Sequence, residues 1–288
     1  MAWSIVRAVL IIGISFIILY PLLMKISMFF MDQKDLYDRT VKWIPKNLTL
    51  ENVKIALEYM NYWHTFMNTV KVVLFTTVLQ TISCTLVGYG FARFRFPGRS
   101  LLFSLVIFTL LVPPQTIMVP LYMNFRILRL LDTYWPYILT SATCMGIRNG
   151  LYIYMIRQFF RQMPKEIEEA AMVDGAGVFK TFYSVMLPSA TPVLVTTVLF
   201  SIVWQWNDTF YANLFWVKNQ VLSSALSALT DNYQQFLRIT EGIHEFSPVY
   251  RSLLDNVGML LVIFPLLILY AFAQKYFIES IERSGIVG

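Results

Sequence analysis

Six apolar stretches, each close to the roughly 20 residues that carry an α-helix across a bilayer, constrain this chain more than any other feature. They run from Val6 to Phe30, Phe66 to Ala92, Leu101 to Phe125, Tyr134 to Ile156, Ala190 to Phe210 and Val257 to Phe277. Backbone inside hydrocarbon must satisfy its own hydrogen bonds, and apolar runs of this length do so as helices. The expected fold is therefore all-α, an integral membrane bundle of about six transmembrane helices forming one domain over residues 1–288. With 57% hydrophobic and 14% charged residues, the composition excludes a large soluble domain. No small-x-small cleavage site follows the first apolar run, so it is read as a retained span, not a signal peptide.

The polar segment Asp32 to His64, carrying Asp32, Asp35, Asp38, Lys42, Lys46, Glu51 and Lys54, cannot lie in hydrocarbon and is expected outside it. A second long segment, Trp216 to Asn256, mixes Asp231, Arg238, Glu241, Glu245 and Arg251 with aromatics and is expected as partly helical structure on the same side. The short loop Arg93 to Arg99 holds three arginines, which favours a cytoplasmic placement. The formal net charge of +6 is accounted for by such membrane-border residues, not by nucleic-acid binding. Cys84 and Cys144 sit within apolar stretches and behave as small hydrophobes, not as a disulfide framework.

The segment at about 157–190 is the most informative. Pro164 stands where a first helical turn tolerates proline, Glu166, Glu168 and Glu169 follow where negative charge suits the helix dipole, and Gly175 supplies a terminator. An amphipathic helix of about three turns is expected, with Ile167, Ala170, Ala171 and Asp174 on one face. Small side chains there would let another protein approach the backbone closely. The plain alternative is a surface helix with solvated glutamates. Pro188 and Pro192 mark the start of the next span.

Glu169-Ala170-Ala171, Gly175, Val185 and Leu187-Pro188 resemble the EAA loop of permease subunits of binding-protein-dependent ABC importers, with Val185 where isoleucine is usual. Over nearly the whole chain the resemblance is to carbohydrate permeases of the maltose type, supported by Pro45 to Asn52, Phe91 to Gly98, Val112 to Tyr122, Ile156 to Lys165 and Trp206-Asn207-Asp208. The tail Glu279 to Gly288 and the segment 216–256 depart from the usual pattern. The resemblance implies a bacterial inner membrane protein with both termini cytoplasmic. It also implies four partners: a second permease, which is either identical or different, an ABC ATPase dimer, an extracytoplasmic solute-binding protein, and membrane lipid. Glu169, Ala170, Ala171, Asp174, Gly175, Leu187 and Pro188 would be the ATPase-coupling residues. No G-x-x-x-x-G-K-[ST] loop occurs, so the chain is expected to bind no cofactor itself, with ATP and Mg used by the partner ATPase.

Other constellations point less far. Thr85-Leu-Val-Gly-Tyr-Gly90 departs from a potassium filter, because leucine separates the threonine from the valine; Gly88 and Gly90 are expected to allow close helix packing. His64 and His244 are isolated in expected external loops without metal-ligand spacing, and no catalytic acid, base or nucleophile is assignable. Near the outer end of the fifth stretch, Trp204, Trp206, Asn207, Asp208 and Tyr211 combine aromatic faces with amide and carboxylate groups suited to a sugar, making them the candidate substrate pathway. Trp216 is read as part of an interfacial aromatic belt. Importers of a sugar acid or peptide remain open, and so does a secondary transporter, for which Lys71 and Arg148 would be the mid-span ionisable candidates.

Overall fold

A computed structural model describes residues 2–41, 43–242 and 247–285; Lys42, His244, Glu245 and the last three residues of the tail therefore lie outside it. The described residues are all-α, with only an isolated antiparallel bridge between Met31 and Leu48. The helices are α1 (Ala2–Phe29), α2 (Glu51–Tyr59), α3 (Tyr62–Arg93), α4 (Arg99–Phe108), α5 (Met118–Ile127), α6 (Trp135–Ala142) and α7 (Asn149–Gln162). They continue with α8 (Glu166–Val173), α9 (Val178–Thr181), α10 (Leu187–Ser189), α11 (Thr191–Trp206), α12 (Phe210–Phe215), α13 (Leu222–Thr240) and α14 (Pro248–Gly285).

Three described helices are long and apolar enough to cross a membrane unbroken, over Trp3–Phe29, Tyr62–Arg93 and Pro248–Lys275. The fifth stretch belongs to a bent pair, Val178–Ser189 and Thr191–Trp206, turned by 73°. The third and fourth stretches are not single helices. Pro113 and Pro114 deprive the backbone of two donors between α4 and α5, where a 3₁₀ turn over Pro114–Ile117 takes over. Between α6 and α7 the chain passes through left-handed Cys144 (φ 59°) and Arg148 (φ 61°), which no continuous helix accommodates. The two long polar segments are structured: α2 and the start of α3 occupy part of the first, so His64 is an exposed helical residue, and α13 occupies much of the second.

The chain divides into two compact units, Met1–Phe66 with Val221–Ile268, and Met67–Gln220 with Leu269–Gly288. In the first, Met31, Tyr250, Leu253 and Leu254 form a buried cluster. Asn52 ties it together, donating from Nδ2 to the Met31 carbonyl at 2.9 Å and accepting from the Tyr250 hydroxyl at 3.0 Å. Above the end of α1, buried Asp35 accepts from the amides of Lys46 (2.7 Å) and Asn47 (2.8 Å) and from Asn47 Nδ2 (2.7 Å). None of the apolar window of α1 is buried within the chain, which leaves that surface to lipid or to another protein.

The second unit has a core of Cys84, Tyr89, Tyr152, Ile156, Phe160, Met186 and Ala190 among others. A Cβ on Gly88 would come within 2.8 Å of Ile156 Cγ2, so glycine permits the approach of α3 and α7 as expected. At Gly90 an added Cβ would meet only Phe94, at 4.0 Å, and no close approach depends on it. A polar seam crosses this core: Thr77 Oγ1 and Ser201 Oγ lie 3.0 Å apart, Ser201 Oγ donates to Gln80 Oε1 at 2.8 Å, and Gln80 Nε2 donates to the Ile147 carbonyl at 3.0 Å.

Candidate functional site: an exposed helical segment and a small cavity

Pro164 biases Met163 toward extended backbone, and Met163 does adopt ψ 137°. The chain therefore leaves α7 there and restarts as α8, with Glu166, Glu168 and Glu169 in its first turn. At its other end the Gly175 amide donates to Met172 O at 3.0 Å and the Ala176 amide to Ala171 O at 2.9 Å, the paired bonds of a Schellman termination, with Gly175 left-handed at φ 80°. Start and stop together confine α8 to eight residues, about two turns instead of the expected three.

The face expected on α8 is divided. Ile167 is half-buried against the core and Ala171 is buried, whereas Ala170, Asp174 and Glu169 are exposed. The apolar edge of this amphipathic helix is already covered by its own chain, so Ala171 presents nothing outward. Large apolar side chains are exposed elsewhere on the segment: Met172 (50%), Val173 (87%), Phe179 (90%) and Tyr183 (72%). Sequence reasoning passed over these because they fall at the spacer positions of the motif, between Ala171 and Gly175 and between Gly175 and Val185. Leu187 is half-buried and Pro188 exposed, in α10 just ahead of the bend into α11.

Glu168 is not solvated like its neighbours. Its Oε1 accepts from the Tyr89 hydroxyl at 2.9 Å, and Oε2 lies 3.4 Å from Arg93 Nε, with the two charged side chains 13% and 7% exposed. Arg93 Nη2 also donates to the Met163 carbonyl at 2.9 Å.

The pathway candidates are not gathered around one space. Trp204 is partly exposed beneath Arg148, whose guanidinium sits 4.3 Å over its ring; Arg148 and Lys71 are themselves exposed. Trp206 is buried, and Asn207 is exposed with Nδ2 donating to Val203 O of its own helix at 2.8 Å. The Asp208 carboxylate accepts from the amides of Tyr211 (3.3 Å) and Ala212 (3.1 Å), capping α12. Trp216 is buried, its Nε1 donating to Thr133 O at 2.8 Å, and is not a belt residue. Beside it, Asp132 Oδ1 accepts from the Val217 and Lys218 amides at 2.7 Å each. Burial pushes the Asp132 carboxyl up, but these amides and that of Asn219 outweigh it and hold the group below its ordinary range.

Of the five pathway candidates, Tyr211 lines a small cavity, with Thr76, Tyr137, Thr140, Ser141 and Gln205 also in its wall. Gln205 Oε1 and Ser141 Oγ are buried without a hydrogen-bond partner among the described residues. The cavity encloses about 10 Å³, so the buried polar atoms in its wall are satisfied by about one water. Gln205, between the two tryptophans, is the residue that the sequence reading missed.

Residues 85–283 match the family described as "Binding-protein-dependent transport system inner membrane component". Protein LplC of Bacillus subtilis is 32% identical over 96% of this chain and 92% of its own length. The arabinooligosaccharides transport system permease protein AraQ of Halalkalibacterium halodurans is 28% identical over 96% and 93%. The fold matches a chain in the crystal structure of a bacterial ABC transporter involved in the import of the acidic polysaccharide alginate, with a TM-score of 0.72, 23% identity and 96% coverage of both chains. With a family match across most of its length and a relative of this identity over nearly all of it, the chain belongs to the inner membrane components of binding-protein-dependent transport systems.

Proposed function

We propose that this chain is the non-catalytic permease subunit of an ATP-driven importer for a sugar or oligosaccharide. It lines the translocation pathway together with a second permease and couples to a separate ATPase dimer through the segment around α8. The observation that carries this reading is the exposure of Met172, Val173, Phe179 and Tyr183 on and just after the Schellman-terminated helix, the last two at the start of the bent pair Val178–Ser189 and Thr191–Trp206, because exposed apolar side chains flanking a helix too short to cross a membrane call for a covering surface, here a protein partner. In this reading Glu169, Ala170 and Asp174 face the ATPase, Ala171 and Leu187 hold the segment on the bundle, Gly175 sets its end, and both termini are cytoplasmic. Closure of the ATPases around ATP then moves the segment, and the spans alternate access to a solute delivered by an external binding protein.

Support for a sugar comes from AraQ, whose name assigns it to arabinooligosaccharides; the cavity beside Tyr137, Tyr211 and Gln205, at about 10 Å³, admits about one water and would have to widen to pass a sugar. A sugar acid is the second reading, favoured by the exposed Arg148 guanidinium over Trp204.

The test is reconstitution in lipid with the ATPase, the second permease and the binding protein. ATP hydrolysis is expected to rise when sugar-loaded binding protein is added, and this chain alone is expected to hydrolyse none. Hydrolysis by the chain alone, or failure of the complex to retain an ATPase, overturns the reading.

A further inference from the structure

Three glutamates open α8, and two of them are exposed. Glu168 is turned inward, although Ile167 beside it already supplies an apolar anchor to the core. A buried ion pair is a poor adhesive, because desolvating both charges offsets most of their attraction. What it does supply is a fixed, directional link. The last turns of α3 hold the elbow between α7 and α8 at two points: Arg93 Nη2 on the Met163 carbonyl at 2.9 Å, and Tyr89 with Arg93 on the Glu168 carboxylate at 2.9 and 3.4 Å. Arg93 Nε is buried and has no hydrogen-bond partner among the described residues, its contact with Glu168 Oε2 being an ion pair at 3.4 Å.

From Arg93, α3 runs unbroken back to Gln80 and Thr77, about 20 Å away at about 1.5 Å per residue. There Gln80 and Thr77 bond Ser201 of α11, and Gln80 bonds the Ile147 carbonyl. Ile147 and Thr76 line the polar cavity. One rigid helix thus has its end fastened to α8 and its middle fastened to the cavity wall.

We propose that Tyr89, Glu168 and Arg93 are the positioning residues of a joint that passes displacement of α8 along α3 to the polar seam and cavity. The inference rests on the coupling role proposed for α8, and its test separates the two. The full complex is prepared with Tyr211→Cys in a Cys84→Ala/Cys144→Ala background. Labelling of the new cysteine by a maleimide is timed without nucleotide and after trapping with ATP and vanadate. In the otherwise wild-type complex, trapping is expected to change the labelling rate by about tenfold. With Arg93→Met and Glu168→Leu together, which leaves no unpaired buried charge, the ATPase is expected to co-purify and trap vanadate normally, yet the labelling change should shrink to less than about twofold.

A full labelling change in the double variant with normal trapping overturns the joint and leaves the coupling segment standing. Loss of the ATPase from the wild-type complex overturns both. Should the double variant fail to assemble, Tyr89→Phe decides: it removes one hydroxyl, and a labelling change reduced several-fold supports the joint, whereas an unchanged one overturns it.

Discussion

The Ala176 amide reaches back 2.9 Å to the carbonyl of Ala171, closing α8 around a left-handed Gly175 at φ 80°. An added Cβ at Gly175 meets nothing within 4 Å, so substitution costs only backbone strain, roughly 1 kcal/mol. Gly175→Asp is therefore expected to leave membrane abundance near normal and to reduce ATPase co-purification, read by pull-down of the tagged permease. Wild-type co-purification would show that the termination does not govern docking.

Ala171 and Phe179 separate two roles. Ala171→Arg places a charge where the side chain is buried, an uncompensated burial worth several kcal/mol, and is expected to lower the amount of folded permease. Phe179 is 90% exposed, so Phe179→Asp is expected to preserve abundance and abolish ATPase retention. Immunoblots of membranes alongside pull-downs check both.

The same contrast applies to Gln205 and Asn207. Gln205 Oε1 has no bonding partner among the described residues, so Gln205→Leu costs little stability but removes a polar wall group. Uptake of a sugar that stimulates the complex is expected to fall about tenfold, equal to about 1.4 kcal/mol. Asn207→Leu breaks only a bond to its own helix, and uptake is expected within about twofold of wild type.

Acid should loosen the first polar segment. The Asn47 backbone amide is the largest influence holding the Asp35 carboxyl below its ordinary range; the Asn47 side chain and the Lys46 amide add to it against the opposing effect of burial. Lys46 and Thr40 hold Asp38 low as well. Because the folded values are depressed, the stabilisation is complete above the ordinary carboxylate value of about 3.9 and is lost as pH falls through the depressed folded value. Hydrogen-exchange protection of residues 32–41 and 43–50, taken relative to each amide's intrinsic rate, is expected to be high at neutral pH and to fall below about pH 4. Asp35→Asn should flatten that dependence, and an identical profile in the variant would remove Asp35 from the account.

Much of this architecture was legible because hydrophobic length is a local property. The stretches at 6–30, 66–92 and 257–277 became helices α1, α3 and α14, and the prolines and glycine around α8 set its ends by backbone restrictions that act within a few residues. The family was legible on the same ground, since the spacing from Glu169 to Pro188 is read directly off the chain. The breaks in the third stretch were foreshadowed by Pro113 and Pro114, but the left-handed residues at Cys144 and Arg148 carry no glycine signature. Which glutamate of α8 turns inward and that Gln205 instead of Asn207 borders the cavity depend on neighbours far along the chain, namely Tyr89, Arg93 and Ser141, and the burial of Ala171 likewise follows from packing and not from the motif. Those contacts exist only once α3, α7 and α11 have packed, because burial is decided by which surfaces meet and not by any residue's own preference.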